Sequence, residues 1–396
     1  MAESRVLGDA EVRAAARRGV RRLRIDAATL ITPQARSTAQ ELGVALVEGE
    51  VVAAAPAHDA STAIRRTLYR RGARWMPPDA GAPAAGRPLG RVAIGGTGAV
   101  GASTALLVAE HGLAEELVLI DVVPGLAAAT ALDLAHASGI TRQVTRTRGS
   151  SDVSDVAGAA VVVITAGQAR RPGMSRAELA AANVPIVRTA AAAVAAHAPD
   201  AVVVVVTNPV DEMTQVTLDE TGFPRQRVLG MAGTLDSARF RHALAEAAGV
   251  DGASVEAFTL GSHGDEMVPI VSAATVQGRP ATQVVAAYAL AGVAAATVQG
   301  GAAVVELRRT GSAAFAPAHA IVEVLRALAG APTGPVSVTV RMEGEYGITG
   351  TVLGVRAILG PGGVREIVTD PISADERDAL HRAAAAIRAR LEALPG

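Results

Sequence analysis

The 396-residue sequence contains no cysteine, which excludes disulfides, thiolate nucleophiles and cysteine-ligated metals. Lysine is equally absent, all 37 basic residues being arginine. Without an ε-amine there is no Schiff-base chemistry, and no phosphate loop of the type that depends on a lysine. No metal site is expected. The valine runs, such as 202–206, are too short to span a bilayer, and the N-terminus carries charges where a signal peptide needs an apolar core. A soluble cytoplasmic protein without a membrane partner is the expectation. Charge of either sign is also sparse. The net value is −1, yet residues 1–90 hold fourteen Arg against nine Asp and Glu, so the remainder carries −6. This marks the front as a separate basic unit, too dilute in charge to act as a nucleic-acid arm.

Half of the residues are hydrophobic, enough to bury a large core spread over two or three domains. The most informative stretch is Arg91 to Asp121, RVAIGGTGAVGASTALLVAEHGLAEELVLID. Val92, Ala93 and Ile94 read as a short strand running into Gly96, Gly98 and Gly101, followed by a helix over 102–110 that ends at Gly112. Leu117 to Ile120 read as a second buried strand with Asp121 at its tip. A dinucleotide requires this order: Gly96 for the tight turn, Gly98 for close approach of the pyrophosphate, Gly101 for helix-to-strand packing. The helix N-terminus then offers free N–H groups to the phosphates. Asp121 lies twenty residues past Gly101, where a carboxylate accepts from the ribose hydroxyls, and no basic residue follows it in VVPG, so NAD is favoured over NADP.

Downstream, the pattern predicts helices over 130–138 and 178–197, and strands over 161–165, 202–206 and 228–230. Strands alternating with helices imply a doubly wound parallel sheet of Rossmann type, with the ligand beyond the C-terminal strand ends. Asn208 sits at such an end, in Thr207-Asn208-Pro209, and suits either a substrate oxygen, the nicotinamide carboxamide or an ordinary turn. The loop 168–176 carries Arg170, Arg171 and Arg176 around a Pro-Gly hinge; at the mouth of a dinucleotide site it reads as a lid over an anionic substrate. Asp236 and Arg239 are three apart on one helix face opening near Thr234, and His263 lies in a glycine-flanked loop after a strand over 257–260. Helices over 282–309, 316–328 and 374–394 and an antiparallel set over 336–368 read as structural.

The motifs GTGAVG with Asp121, ITAGQARRPGMSR, VTNPVD, GTLDSARF and GSHGDEMVP resemble, in order and spacing, the lactate/malate dehydrogenase family, and GEYGITGTVLGVRAILG extends the likeness toward the C-terminus. Within that family the chain is most similar to the malate dehydrogenases of lactate-dehydrogenase type. The resemblance implies a Rossmann-type NAD-binding domain over 91–231 and an α+β substrate domain over 232–396. It implies that His263 exchanges a proton with the 2-oxo group and Asp236 orients it. Arg239 grips the C1 carboxylate, Arg176 polarises the carbonyl, and Asn208 positions the substrate. Cofactor contacts carry over to Gly96, Thr97, Gly98, Ala99, Val100, Gly101, Asp121, Asn183, Val206, Thr207 and Asn208. In the family, the position of Arg170 selects the substrate, an arginine there matching the second carboxylate of malate and oxaloacetate. A lactate or other 2-hydroxy acid dehydrogenase, and an inactive NAD-binding scaffold, are the alternatives. Relatives in the family are commonly dimers or tetramers, so a homo-oligomer is expected.

The front section reads as a small α/β module over 1–55, with helices opening at Asp9 and at Thr32-Pro33, the second stopping at Gly43. ITPQARSTAQELGV resembles the N-terminal segment of ethanolamine-utilisation proteins of bacterial microcompartments. An amphipathic helix over 59–71, within 56–75, and a Pro- and Ala-rich tether over 76–90 follow, in the layout of a docking peptide. The expectation is that residues 1–75 address the enzyme to a microcompartment shell or cargo protein.

Overall fold

The computed structural model describes residues 6–17, 20–25, 29–48, 87–170, 173–309 and 311–394. The chain forms two compact units, Met1–Arg74 and Trp75–Gly396. In the first, β1 (Val6–Leu7), α1 (Asp9–Arg17), β2 (Arg22–Ile25), β3 (Leu30–Ile31), α2 (Pro33–Glu41) and β4 (Ala45–Glu48) follow in order. β1 pairs with β3 and β2 with β4, both in parallel. Thr32 caps α2, its hydroxyl oxygen accepting the Ala35 N–H at 3.2 Å, and Gly43 leaves it at φ +62°. Asp9, expected as a cap, is instead the first helical residue of α1. The longer Glu11 side chain reaches back to accept the Gly8 N–H at 2.8 Å. The core of this unit is small: Leu7, Val12, Ile25, Ala35, Ala39 and Val44. The helix expected over 59–71, Trp75 and the tether as far as 86 lie outside the described residues, as do Arg171 and the Pro172 of the Pro-Gly hinge.

The second unit opens with β5 (Arg91–Gly95), α3 (Ala99–Glu110), β6 (Glu116–Ile120), α4 (Leu126–Thr141), β7 (Arg146–Ser150), β8 (Val161–Ile164), α5 (Arg176–His197), β9 (Val202–Val205), α6 (Val210–Thr221) and β10 (Val228–Gly230). These six strands pair in parallel in the order β7-β6-β5-β8-β9-β10. β5, β6, β8, β9 and β10 alternate between two cores. Ile94, Leu117, Val163 and Val204 face one with Ala105 and Val108 of α3; Ala93, Val118, Val162 and Val203 face the other with Val187 of α5 and Met213 of α6. Burial on both faces explains the unbroken valine runs, each such side chain contributing about 1.5–3 kcal/mol. The order reverses between β5 and β8, which opens a crevice at their C-terminal ends.

The remainder comprises α7 (Gly233–Ala248), β11 (Val255–Glu256), β12 (Thr259–Gly261), β13 (Met267–Pro269), β14 (Thr275–Val276), β15 (Arg279–Pro280), α8 (Ala281–Val284), α9 (Ala287–Arg308), α10 (Phe315–Leu328), β16 (Val336–Glu343), β17 (Thr349–Gly360), β18 (Gly363–Val368) and α11 (Ala374–Glu392). The antiparallel β16, β17, β12 and β13 continue the parallel sheet and β18 pairs with β17 beside them, so eleven strands form one mixed sheet. The join is a single pair, Gly230 opposite Thr339.

Helices α3, α4 and α5 start earlier than their apolar patterns suggest, at Ala99, Leu126 and Arg176. For α5 the cap is Ser175, in a reciprocal box with Glu178. The helix expected over 282–309 is two, because Val285 and Ala286 are extended and Val285 drops into the core. Two helices, Arg176–His197 and Ala287–Arg308, are long and apolar enough to cross a membrane by length and composition, each with mean hydropathy 1.5. The first is a core helix, with Leu179, Val184, Val187 and Val194 buried.

Candidate active site

The turn after β5 owes its shape to two glycines. Gly96 has φ +94°, and a Cβ there would come 2.6 Å from the Ala166 backbone nitrogen at the end of β8. A Cβ on Gly101 would collide with the Gly96 carbonyl oxygen. Thr165 seals this contact, its hydroxyl donating to the Gly96 carbonyl at 2.8 Å. Gly98 differs: it is the N-cap of α3 and nothing stands within 4 Å of its missing Cβ. Open space in front of the first N–H groups of α3 is the cradle an anionic pyrophosphate needs, with Ala99 and Val100 in its first turn.

Asp121 stands at the tip of β6. Its Oδ2 accepts from the Thr97 N–H at 2.6 Å and hydroxyl at 2.8 Å, and its Oδ1 from the Val123 N–H at 3.0 Å. Burial pushes this carboxyl up, but those bonds outweigh it and hold the pKa below the ordinary value. The ionised acid thus ties the glycine turn to the β6 end besides facing the crevice.

Asn183 is expected as a cofactor contact. It is fully buried, and its side-chain oxygen accepts the Gln168 N–H at 2.7 Å. Its nitrogen donates to the carbonyls of Gln168 at 3.2 Å and Asn208 at 2.7 Å. The amide is spent on clamping the root of the lid to the Asn208 loop. Thr207 does similar work, donating to the Ala166 carbonyl at 2.7 Å. The Asn208–Pro209 peptide is cis, and the Asn208 side chain is exposed at the strand ends beside half-buried Val206.

An imidazole–carboxylate pair is assembled from distant segments. His263 Nδ1 lies 2.7 Å from Asp236 Oδ2, and Asp236 Oδ1 accepts from Arg239 Nη1 at 3.0 Å. Asp236 is 2% exposed whereas His263 is 21% exposed, so the carboxylate backs the imidazole and Nε2 faces outward. A carboxylate at Nδ1 keeps one ring proton on that nitrogen, so that Nε2 is the position that gains and loses a proton. Burial lowers the His263 pKa, but Asp236, by charge and hydrogen bond, and then Asp211 outweigh burial and Arg239, leaving it above 6.5.

Asp211, unassigned on sequence grounds, is the buried anchor of this loop. Its Oδ2 accepts the His263 N–H at 2.9 Å and the Ser262 hydroxyl at 2.8 Å, while Oδ1 accepts from Thr339 at 3.0 Å. An acid in the first turn of α6, a helix otherwise buried over 210–218, was the available signal. Arg176, expected on the lid, is the first residue of α5. Its guanidinium packs over Gly264, with Nη2 3.5 Å from the His263 carbonyl. The structure therefore unites His263, Asp236, Arg239 and Arg176. Arg170 stays apart, exposed, with Nε on the Met174 carbonyl of its own loop at 2.9 Å.

Residues 90–230 match the NAD-binding domain of lactate/malate dehydrogenase, and 233–394 its alpha/beta C-terminal domain. The chain is 43% identical over 304 residues to the malate dehydrogenase of Nostoc punctiforme, covering 77% of this chain and 93% of that protein. It is 42% identical over 304 residues to that of Thermomicrobium roseum, covering 77% and 98%. The solved malate dehydrogenase of Aeropyrum pernix superposes with a TM-score of 0.74 at 36% identity, covering 77% of this chain and 98% of that one. The lactate dehydrogenase of Cryptosporidium parvum, complexed with lactic acid and nicotinamide adenine dinucleotide, does so at 0.74 and 31%, covering 76% and 97%. A glycine turn shaped for NAD, an imidazole backed by a buried carboxylate and both domain matches place this chain in the lactate/malate dehydrogenase family, as an NAD-dependent 2-hydroxy acid dehydrogenase.

Proposed function

We propose that the protein interconverts malate and oxaloacetate. The observation that carries this is the His263–Asp236–Arg239 arrangement, with Arg176 over the same loop. The Gly96–Gly101 turn and Asp121 hold the cofactor, and NADH, when bound, supplies the hydride. In reduction, His263 would give its Nε2 proton to the 2-oxo oxygen as the carbonyl carbon gains the hydride that bound NADH would supply, so that C=O becomes CH–OH. Asp236 steadies the imidazolium before transfer. Arg239 offers a two-pronged grip to the C1 carboxylate, and Arg176 brings positive charge to the oxygen as it becomes an alkoxide. Oxidation runs these steps backwards, with neutral His263 as base.

Arg170 supports malate over lactate. A guanidinium closed onto a methyl group would be left without a partner, which is costly, whereas a second carboxylate compensates it. The relatives named malate dehydrogenase at 42–43% identity support the same choice. Steady-state NADH oxidation tests it: oxaloacetate should be reduced faster than pyruvate, and the reverse ranking sinks the assignment. Arg170→Gln should lower the oxaloacetate-to-pyruvate ratio of kcat/KM by about a hundredfold, equivalent to about 3 kcal/mol for a broken buried pair.

Two further features belong to this reading. Helix α9 is apolar yet mostly exposed, with Tyr288 85% and Leu307 84% exposed, which supports a homo-oligomer in which a second copy covers it. Sedimentation showing only monomer would sink that. The separate front unit and its resemblance to ethanolamine-utilisation segments support an addressing role for residues 1–75 toward a microcompartment shell. Deleting 1–88 should preserve turnover and abolish co-purification with shell proteins; retained co-purification refutes the role.

A further inference from the structure

The C-terminal helix α11 sends one side chain to the loop that carries His263. Arg390 donates from Nε to Glu212 Oε1 at 2.5 Å, from Nη1 to Glu266 Oε2 at 3.0 Å and from Nη2 to Ser262 Oγ at 2.9 Å. Ser262 and Glu266 stand on either side of His263, and Glu212 belongs to α6. One guanidinium therefore pins both feet of the acid–base loop to the helix that carries its buried anchor. Ser262 passes the contact to Asp211, which accepts the His263 N–H. Glu266 passes it to Arg176, whose Nη1 is 3.8 Å from the same Oε2 that Arg390 binds.

Only arginine can hold three partners in one plane; an ammonium is a compact charge without the fork. The arrangement is also tightly balanced. Glu212 is 2% exposed, and burial together with neighbouring Asp211 pushes its carboxyl up, with Arg390 opposing. For Arg390, burial works against the charge, but Glu212 and Glu266 outweigh it and raise the pKa. The buried acid is tolerated as an anion because the arginine is in place.

We propose that Arg390 is a positioning residue for proton transfer: through Ser262 and Asp211 it sets the placement of His263, and through Glu266 the orientation of Arg176. This rests on His263 being the proton donor. The side chain makes no contact with the imidazole, so its influence is mechanical, carried by the loop. Small displacements matter, since a misplacement of about 1 Å costs roughly a hundredfold in rate.

Truncating Arg390 alone strands the buried Glu212, so the informative variant is the pair Arg390→Met with Glu212→Leu, which removes both charges at similar volume. Arg390→Lys is the conservative companion. The measurements are kcat, KM for oxaloacetate, NADH affinity by its fluorescence, thermal midpoint and the alkaline limb of oxaloacetate reduction. The groups facing His263 from its neighbours, Asp236 and Arg239 on α7, Asp211 on α6 and Arg176 on α5, are untouched in both variants. The paired variant should bind NADH as before, lose at least about tenfold in kcat, and show its alkaline limb at lower pH as the imidazole shifts from Asp236. Arg390→Lys should recover part of both. An unchanged kcat and limb in a folded, NADH-binding paired variant overturns the proposal. So does a parallel loss of kcat, NADH affinity and thermal midpoint, the signature of plain destabilisation. If the unmodified protein does not oxidise NADH with oxaloacetate at all, the underlying functional reading fails instead.

Discussion

Between Arg91 and Asp121 the chain builds a phosphate cradle from sequence neighbours, and what it asks of them is mostly the absence of side chains. The imidazole of His263 depends on the opposite resource. Asp236 comes from α7, Asp211 from α6, and the brace between Arg390 and Glu212 joins residues 178 apart. A glycine turn is specified mostly by local backbone demands, with the end of β8 as its one distant neighbour. A charged loop is specified by the whole sheet, because its partners arrive only when β10, β16 and α11 are in place. The first region should therefore fail by steric obstruction and the second by loss of charge placement.

The sharpest separation comes from His263→Gln, which keeps the loop but removes the acid. Turnover should fall by about 10²–10⁴-fold while NADH binding persists, measured by rapid-mixing kinetics and fluorescence titration. Lost NADH affinity would show that the two regions are not independent. Asp236→Asn keeps the imidazole and removes the charge that raises its pKa. Reduction needs imidazolium, so its rate is full below the folded-state pKa of His263 and falls as pH rises through it. Without the Asp236 charge this limb should move down by about one unit or more in a pH profile of kcat, and oxidation should persist to lower pH. Smallest in effect is Gly101→Ala. The new methyl meets the Gly96 carbonyl, so the turn must open at a cost of about 1–3 kcal/mol, or roughly ten- to hundredfold in NADH affinity, with kcat at saturating NADH nearly intact.

Legibility follows the same division. The strands, the glycines and Asp121 are legible because unbroken apolar runs and a close-packed glycine turn leave marks within a few residues. His263 and Asp236 were found through motif spacing, although nothing local says that Nδ1 meets Oδ2. Asp211 was passed over because an acid after a proline looks like any exposed helix start. Glu212 and Arg390 had no local signal at all, as each is explained only by the other. The amide of Asn183 clamps two loops together, a task that motif position alone does not reveal. The break at Val285 was hidden because an apolar residue fits the helical stripe and an extended core position equally well.

The nucleotide sheet and its antiparallel continuation share one rung, Gly230 opposite Thr339, where β9 and β10 share three. Under mechanical load a ribbon parts at its thinnest stitch. Pulled from opposite edges, this sheet should tear at that seam or at its other single rung, Gly261 opposite Gly354; at the first, Asp211, held by Thr339 on one side and attached to α6 on the other, is the suture that resists.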